Sequence, residues 1–133
     1  MDMTLEVVPV PVSDTDRAIA FYQRVGFNVD MDVRVSDDVR FVQLTPPGST
    51  CSIHIGEGTS TMKPGAVKGL ILCVDSAEAA KAELDERGIA TSDVEPQPWG
   101  KHVYFSDPDG NSWTVQESYA RNERRSEGEA QSS

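Results

Sequence analysis

Cysteine is scarce in this chain, and so are histidine, aromatic residues and long apolar runs. The two cysteines, Cys51 and Cys73, make no disulfide framework and stand in no metal-ligand spacing. No apolar run approaches the length of a membrane span, and the N-terminal MDMTLEVV lacks the basic region of a signal peptide. Bases are outnumbered: 12 Lys and Arg stand against 22 Asp and Glu, a net charge of −10. A phosphate-binding surface needs clustered bases, and the one cluster, RNERR at 121–125, falls in a polar stretch without apolar periodicity. Nucleic acid and membrane are therefore excluded as expected partners, and residues 119–133 are expected to form a disordered tail. These absences leave a soluble, cytoplasmic protein of 133 residues, enough for one compact domain or two small modules sharing a core. The acidic balance serves solubility, and it also steers cationic ligands toward the surface.

What is present is a duplication. Displaced by 62 residues, VPVSDTDRAIAFYQRVGF (10–27) falls on LCVDSAEAAKAELDERGI (72–89) without a gap. Gly26 meets Gly88, and Pro46-Pro47-Gly48 meets Pro108-Asp109-Gly110. Identity is low, but the punctuation coincides, and punctuation fixes topology. In each copy an apolar, β-branched run (LEVVPVPV, VKGLILCV) reads as a strand. A capping signal follows, with Ser13 as N-cap and an acid three residues on in the first copy, and Asp75-Ser76 in the second. The helices then place Ala18, Phe21, Tyr22 and Val25, or Ala77, Ala80 and Leu84, along one face, and a glycine ends each. Three extended segments complete each copy, at about 28–34, 39–45 and 51–56, then 90–95, 101–106 and 112–117. The reading is an α+β domain over residues 1–118, built of two βαβββ modules at about 3–57 and 65–118, whose curved sheets enclose a cleft.

The strand-and-helix stretch VPVSDTDRAIAFYQRVGF and the closing hairpin FSDPDGNSWTVQE resemble those of the vicinal oxygen chelate superfamily. That group holds glyoxalase, extradiol dioxygenases, fosfomycin-resistance enzymes and bleomycin-resistance proteins, and the likeness spans roughly residues 3–118. Enzymes of the superfamily bind a divalent metal through four strand positions, which fall here on Val7, Ser52, Gly69 and Thr114. Valine and glycine offer no side-chain donor and hydroxyls are poor ligands for such metals, so no metal cofactor is expected. That departure removes the Lewis-acid or oxygen-activating centre on which glyoxalase and dioxygenase chemistry depends.

Strand alternation names the remaining cleft groups: Ser52 and His54 on one module's last strand, Thr114 and Gln116 on the other's, and His102 and Tyr104 on the preceding strand. Repeat alignment pairs His102 with Arg40, and Trp99, in the PQPWGKH loop, is placed to close over the opening. In the fosfomycin-resistance enzymes, which the hairpin resembles, the positions of His102 and Tyr104 contact substrate. Each of these side chains also has a structural reading as core or surface residue, whereas Trp113, of opposite parity, is expected in the core. Two functions compete. One is metal-independent sequestration of an aromatic or cationic antibiotic, as the resemblance to bleomycin-resistance proteins implies. The other is a metal-independent lyase, isomerase or cyclase using His102 or His54 with Tyr104 as acid–base groups. Open sheet edges predict a homodimer, an expectation that a monomeric mass at micromolar concentration would overturn.

Overall fold

The structure, a computed structural model, describes residues 1–119, so the expected tail lies outside the described residues except for Tyr119. Two compact units are present. One comprises Met1–Lys68 together with Ser106–Ser112; the other comprises Gly69–Phe105 and the segment from Trp113 onward.

In the first unit, β1 (Val7–Pro9), α1 (Thr15–Val25), β2 (Asn28–Ser36), β3 (Val39–Thr45) and β4 (Ser52–Glu57) follow in chain order. Their four-stranded sheet has the order β1-β4-β3-β2, with β1 parallel to β4. The second unit repeats the plan with β5 (Leu70–Cys73), α2 (Ala77–Glu86), β6 (Glu95–Gln97), β7 (Gly100–Ser106) and β8 (Ser112–Ser118), in the order β5-β8-β7-β6. The βαβββ module is thus used twice, and both sheets are open.

The first strand is shorter than the apolar run that announces it. Pro9 and Pro11 have no N–H to give, so pairing ends at Pro9↔His54, after which Val10 N–H donates to the His54 carbonyl at 2.9 Å. Helix α1 starts one residue later than the capping signal suggested: Asp14 is the N-cap, accepting from Arg17 N–H at 3.0 Å. Ser13 is occupied elsewhere, its N–H and Oγ both donating to the Asp109 carboxylate. In α2 the cap is Ser76, as the sequence indicates. Gly26, at φ 123°, ends α1 in backbone space that a side chain would strain.

The core of the first unit unites Ala18, Phe21, Tyr22 and Val25 of α1 with Val42, Leu44, Ile53 and Ile55 of the sheet, all buried. That of the second gathers Ala77, Leu84, Ile89, Val103, Phe105, Trp113 and Val115. Trp113 stacks on Phe105 at 6.1 Å and 5°, as its parity requires. The segment 90–95, expected to be extended, pairs little, and only Glu95–Gln97 forms a strand there. Upstream, Ser92 takes the place of a ladder residue, its N–H donating to the Tyr104 carbonyl and its Oγ accepting from Tyr104 N–H, both at 2.9 Å.

Hydrogen bonds from several segments tie the hairpin tip Ser106–Ser112 to the rest of the first unit. Asp107 is buried and accepts four hydrogen bonds: Tyr22 hydroxyl at 2.7 Å, Asn111 Nδ2 at 2.8 Å, and the N–H groups of Asp109 and Asn111 at 3.0 Å. Asn111, fully buried, also donates to the Pro11 carbonyl at 2.7 Å and accepts from Val67 N–H at 3.1 Å.

Candidate functional site

Each sheet turns one face to its core and sets polar and aromatic side chains on the other. In the first unit the ladder pairs Gln43 with His54 and Phe41 with Gly56, which sets Phe41, Gln43, Thr45, Ser52 and His54 on the face away from the core. The His54 ring stacks on Phe41, with centroids 5.1 Å apart and planes 27° apart. Along β2 a bulge at Asp30, between the pairs Val29↔Leu44 and Met31↔Gln43, turns one carboxylate toward this face. Thr45 Oγ1 donates to that carboxylate. Ser52 Oγ, 2.6 Å from Thr45 Oγ1, must then be the donor of the second contact, because the threonine has only one proton.

His54 also lines an open pocket of about 650 Å³ with Pro9 and the segment Gly58–Met62. Among the described residues its buried Nδ1 has no hydrogen-bond partner. Burial lowers the imidazole pKa below its ordinary value, because the charged form is desolvated. In the unfolded chain the ring titrates near 6.5. The unfolded state therefore takes up its proton first, and this contribution to stability is complete above that pH and lost as pH falls toward the lower folded value. Urea unfolding between pH 7.5 and 5 is expected to show a smaller loss of stability in His54→Phe than in the wild type. Equal losses in the two proteins would contradict a neutral, desolvated His54.

Arg40 is not among these groups. It pairs across the ladder with Glu57, on the side of Val42 and Ile55, and its guanidinium is already committed. It binds Asp32 through Nε at 2.9 Å and Nη2 at 2.8 Å, and Asp16 of α1 through Nη1 at 2.9 Å. Those bonds hold the Asp32 carboxyl below its ordinary pKa, chiefly through the hydrogen bond from Arg40. The repeat offset failed here because it was carried through β3 unchanged. Counting alternation from the buried pairs Val42/Leu44 and Val103/Phe105 makes Phe41 and Gln43 the counterparts of His102 and Tyr104. Phe41, Gln43 and Asp30 were missed for that reason and because a bulge leaves no sequence mark.

In the second unit four of the expected residues do meet. Gln97 pairs with Gly100, so Pro98 and Trp99 form the two-residue turn between β6 and β7. Gly100 is buried where an added Cβ would lie 2.1 Å from the Glu117 carbonyl oxygen, so β7 can start this close to β8 only as glycine. Trp99 is 56 % exposed, yet its indole N–H donates to His102 Nε2 at 3.2 Å. His102 Nε2 also lies 3.0 Å from Gln116 Oε1, and Nδ1 lies 3.2 Å from the Tyr104 hydroxyl. The His102 ring centroid is 5.9 Å from those of both Trp99 and Tyr104. Thr114, two residues before Gln116 on β8, shares its strand face.

The four strand positions expected from the resemblance can be followed in both units. In the first, Val7 pairs with Ser52, whose hydroxyl is spent on Thr45. In the second, the ladder partner of Thr114 is Ile71, two residues beyond the Gly69 expected from the repeat. Seven positions separate Val7 from the cap Asp14 but only five separate Ile71 from the cap Ser76, so the strand-to-helix connection is shorter in the second copy. None of Val7, Ser52, Ile71 and Thr114 is a competent ligand for a divalent transition metal. Among the described residues no three His, Cys, Asp or Glu side chains are grouped to hold one.

Comparison with known proteins places these features in context. Residues 4–115 match the family model described as the Glyoxalase/Bleomycin resistance protein/Dioxygenase superfamily. The structure is similar to TnmS3, an antibiotic binding protein from Streptomyces sp. CB03234, with a TM-score of 0.80 and 36 % identity over 88 % of this chain and 97 % of that one. A superfamily member from Sphaerobacter thermophilus DSM 20745 gives a TM-score of 0.76 at 30 % identity, covering 88 % of this chain and 98 % of its own. The bleomycin resistance determinant encoded on transposon Tn5 shares the fold at 19 % identity, with a TM-score of 0.67 over 90 % of this chain and 99 % of that one. No curated protein matches the chain.

Proposed function

The chain belongs to the glyoxalase/bleomycin resistance protein/dioxygenase superfamily, and on that footing we propose that it binds an aromatic or cationic antibiotic in the cytoplasm and sequesters it without chemical change. The observation that carries this reading is Trp99. A large aromatic ring more than half exposed is costly to leave in water, and here it is also held in place by a hydrogen bond to His102. An immobilised, exposed ring loses little entropy on stacking, which is what a platform for a flat ligand needs. The similarity to an antibiotic binding protein at 36 % identity supports the choice of ligand class. Charge supports the cationic preference: the chain carries −10, and the bulge sets the Asp30 carboxylate beside Thr45 on the face of the first sheet away from the core. The residues at the four metal positions support binding without metal catalysis.

A thermal-shift panel of divalent metals, bleomycin-type glycopeptides and planar aromatic antibiotics tests the reading. A ligand at a hundred times its Kd is expected to stabilise the fold by about 2.7 kcal/mol, which is several degrees for a domain of this size. Trp99 emission should be quenched over the same concentration range, while buried Trp113 is spared. Saturable stabilisation by a metal alone, with none by the drugs, would overturn the proposal.

A further inference from the structure

The hydrogen bonds around His102 leave one proton unassigned, and it identifies a chemical group on the ligand. Two partners approach His102 Nε2, the Trp99 indole N–H at 3.2 Å and the Gln116 amide, placed with Oε1 at 3.0 Å. An indole nitrogen can only donate, whereas a glutamine amide can turn over and present either its oxygen or its NH₂. If Nε2 carried a proton, two donors would face each other at Trp99, and no rotation of the indole would relieve the conflict. Nε2 is therefore the lone-pair nitrogen, the Gln116 amide is turned over so that its NH₂ replaces Oε1 in sharing that lone pair with the indole, and the imidazole proton sits on Nδ1. That proton is donated to the Tyr104 oxygen at 3.2 Å. With its oxygen accepting, the Tyr104 hydroxyl still holds its own proton, and no other partner takes it among the described residues.

We infer that Tyr104 is a specificity-determining donor, set to hydrogen-bond a carbonyl or other acceptor oxygen on the edge of a flat ligand stacked at Trp99. The inference rests on the binding reading above and adds to it a required functional group. A ligand of the same shape without that oxygen would bury the Tyr104 proton unpaired, a loss that sites built for a hydrogen bond register strongly.

The test uses the full-length protein and two probes that differ by one oxygen: fluorenone and fluorene, each carrying the same quaternary ammonium group. Titration by tryptophan quenching is expected to give roughly tenfold tighter binding of the ketone to the wild type. Tyr104→Phe should abolish that preference, weakening the ketone and tightening fluorene, because the variant has no proton to pair or to strand. Nitrogen-15 NMR of the His102 ring in the free protein should show the proton on Nδ1. A proton on Nε2 overturns the inference before any ligand is added. A ketone preference that persists in Tyr104→Phe, or is absent from the wild type, overturns it while leaving the binding reading intact. Failure of both probes to bind removes Trp99 as a stacking platform, and the inference falls with it.

Discussion

Asp107→Ala is expected to destabilise the protein by about 3–5 kcal/mol, among the largest effects of a single side chain here. The carboxylate accepts four hydrogen bonds in a buried position. Alanine removes the acceptor that serves the Tyr22 hydroxyl, one Asn111 Nδ2 proton and two backbone N–H groups, while the other Asn111 proton keeps the Pro11 carbonyl. Each unsatisfied buried donor costs about 1–3 kcal/mol, and partial relaxation toward water keeps the sum below four full penalties. Tyr22→Phe is the natural companion, because it deletes one donor without stranding an acceptor, so its cost should be only about 1 kcal/mol. Urea denaturation of both variants beside the wild type makes the measurement. If Asp107→Ala cost less than its tyrosine partner, the carboxylate would not be the hub of the hydrogen bonds within the 106–112 hairpin tip.

The second large effect concerns affinity. Under the proposed function, Trp99→Ala should weaken binding of an aromatic ligand by about 10- to 100-fold, the range of a stacking anchor. Stability should change by no more than about 1 kcal/mol, because the ring is mostly exposed and its loss opens no core cavity. Calorimetric titration with the tightest compound from the thermal-shift panel supplies the comparison. Near-wild-type affinity would remove the observation on which the proposal stands. Trp99→Phe keeps the apolar face but loses the indole donor, and His102 Nε2 is then left to the Gln116 amide alone. Its affinity should fall between the other two, which separates the contribution of stacking from that of the fixed ring position.

The order of elements was legible in the sequence because the signals for it are local. Glycine after each helix, the capping residues, the turn prolines and the change from period 3.6 to period 2 lie within a few residues of the structure they specify. The two βαβββ modules, the buried faces of α1 and α2 and the core position of Trp113 follow from such marks. The second copy of a repeat also constrains the reading of the first. The metal positions could be judged unfit for the same reason, since Val7, Ser52 and Thr114 carry their chemistry wherever the strand is placed. Ile71, which the ladder substitutes for Gly69, is no better a ligand.

What the sequence left open was register and proton placement, and both are properties of pairs. A connection shortened by two residues moves a ladder partner from Gly69 to Ile71 without altering any nearby motif. The same alignment sent Arg40 to the functional face, whereas tertiary pairing with Asp16 and Asp32 holds it on the core side. Asp107 and Tyr22 are 85 residues apart, and nothing near either shows that they meet. His54 and His102 are the same residue type on equivalent faces, yet among the described residues one has a buried nitrogen without a partner and the other has three polar neighbours. Local propensity is fixed by neighbours along the chain. Hydrogen-bond partners and burial are fixed by neighbours in space, and only the packed structure chooses those.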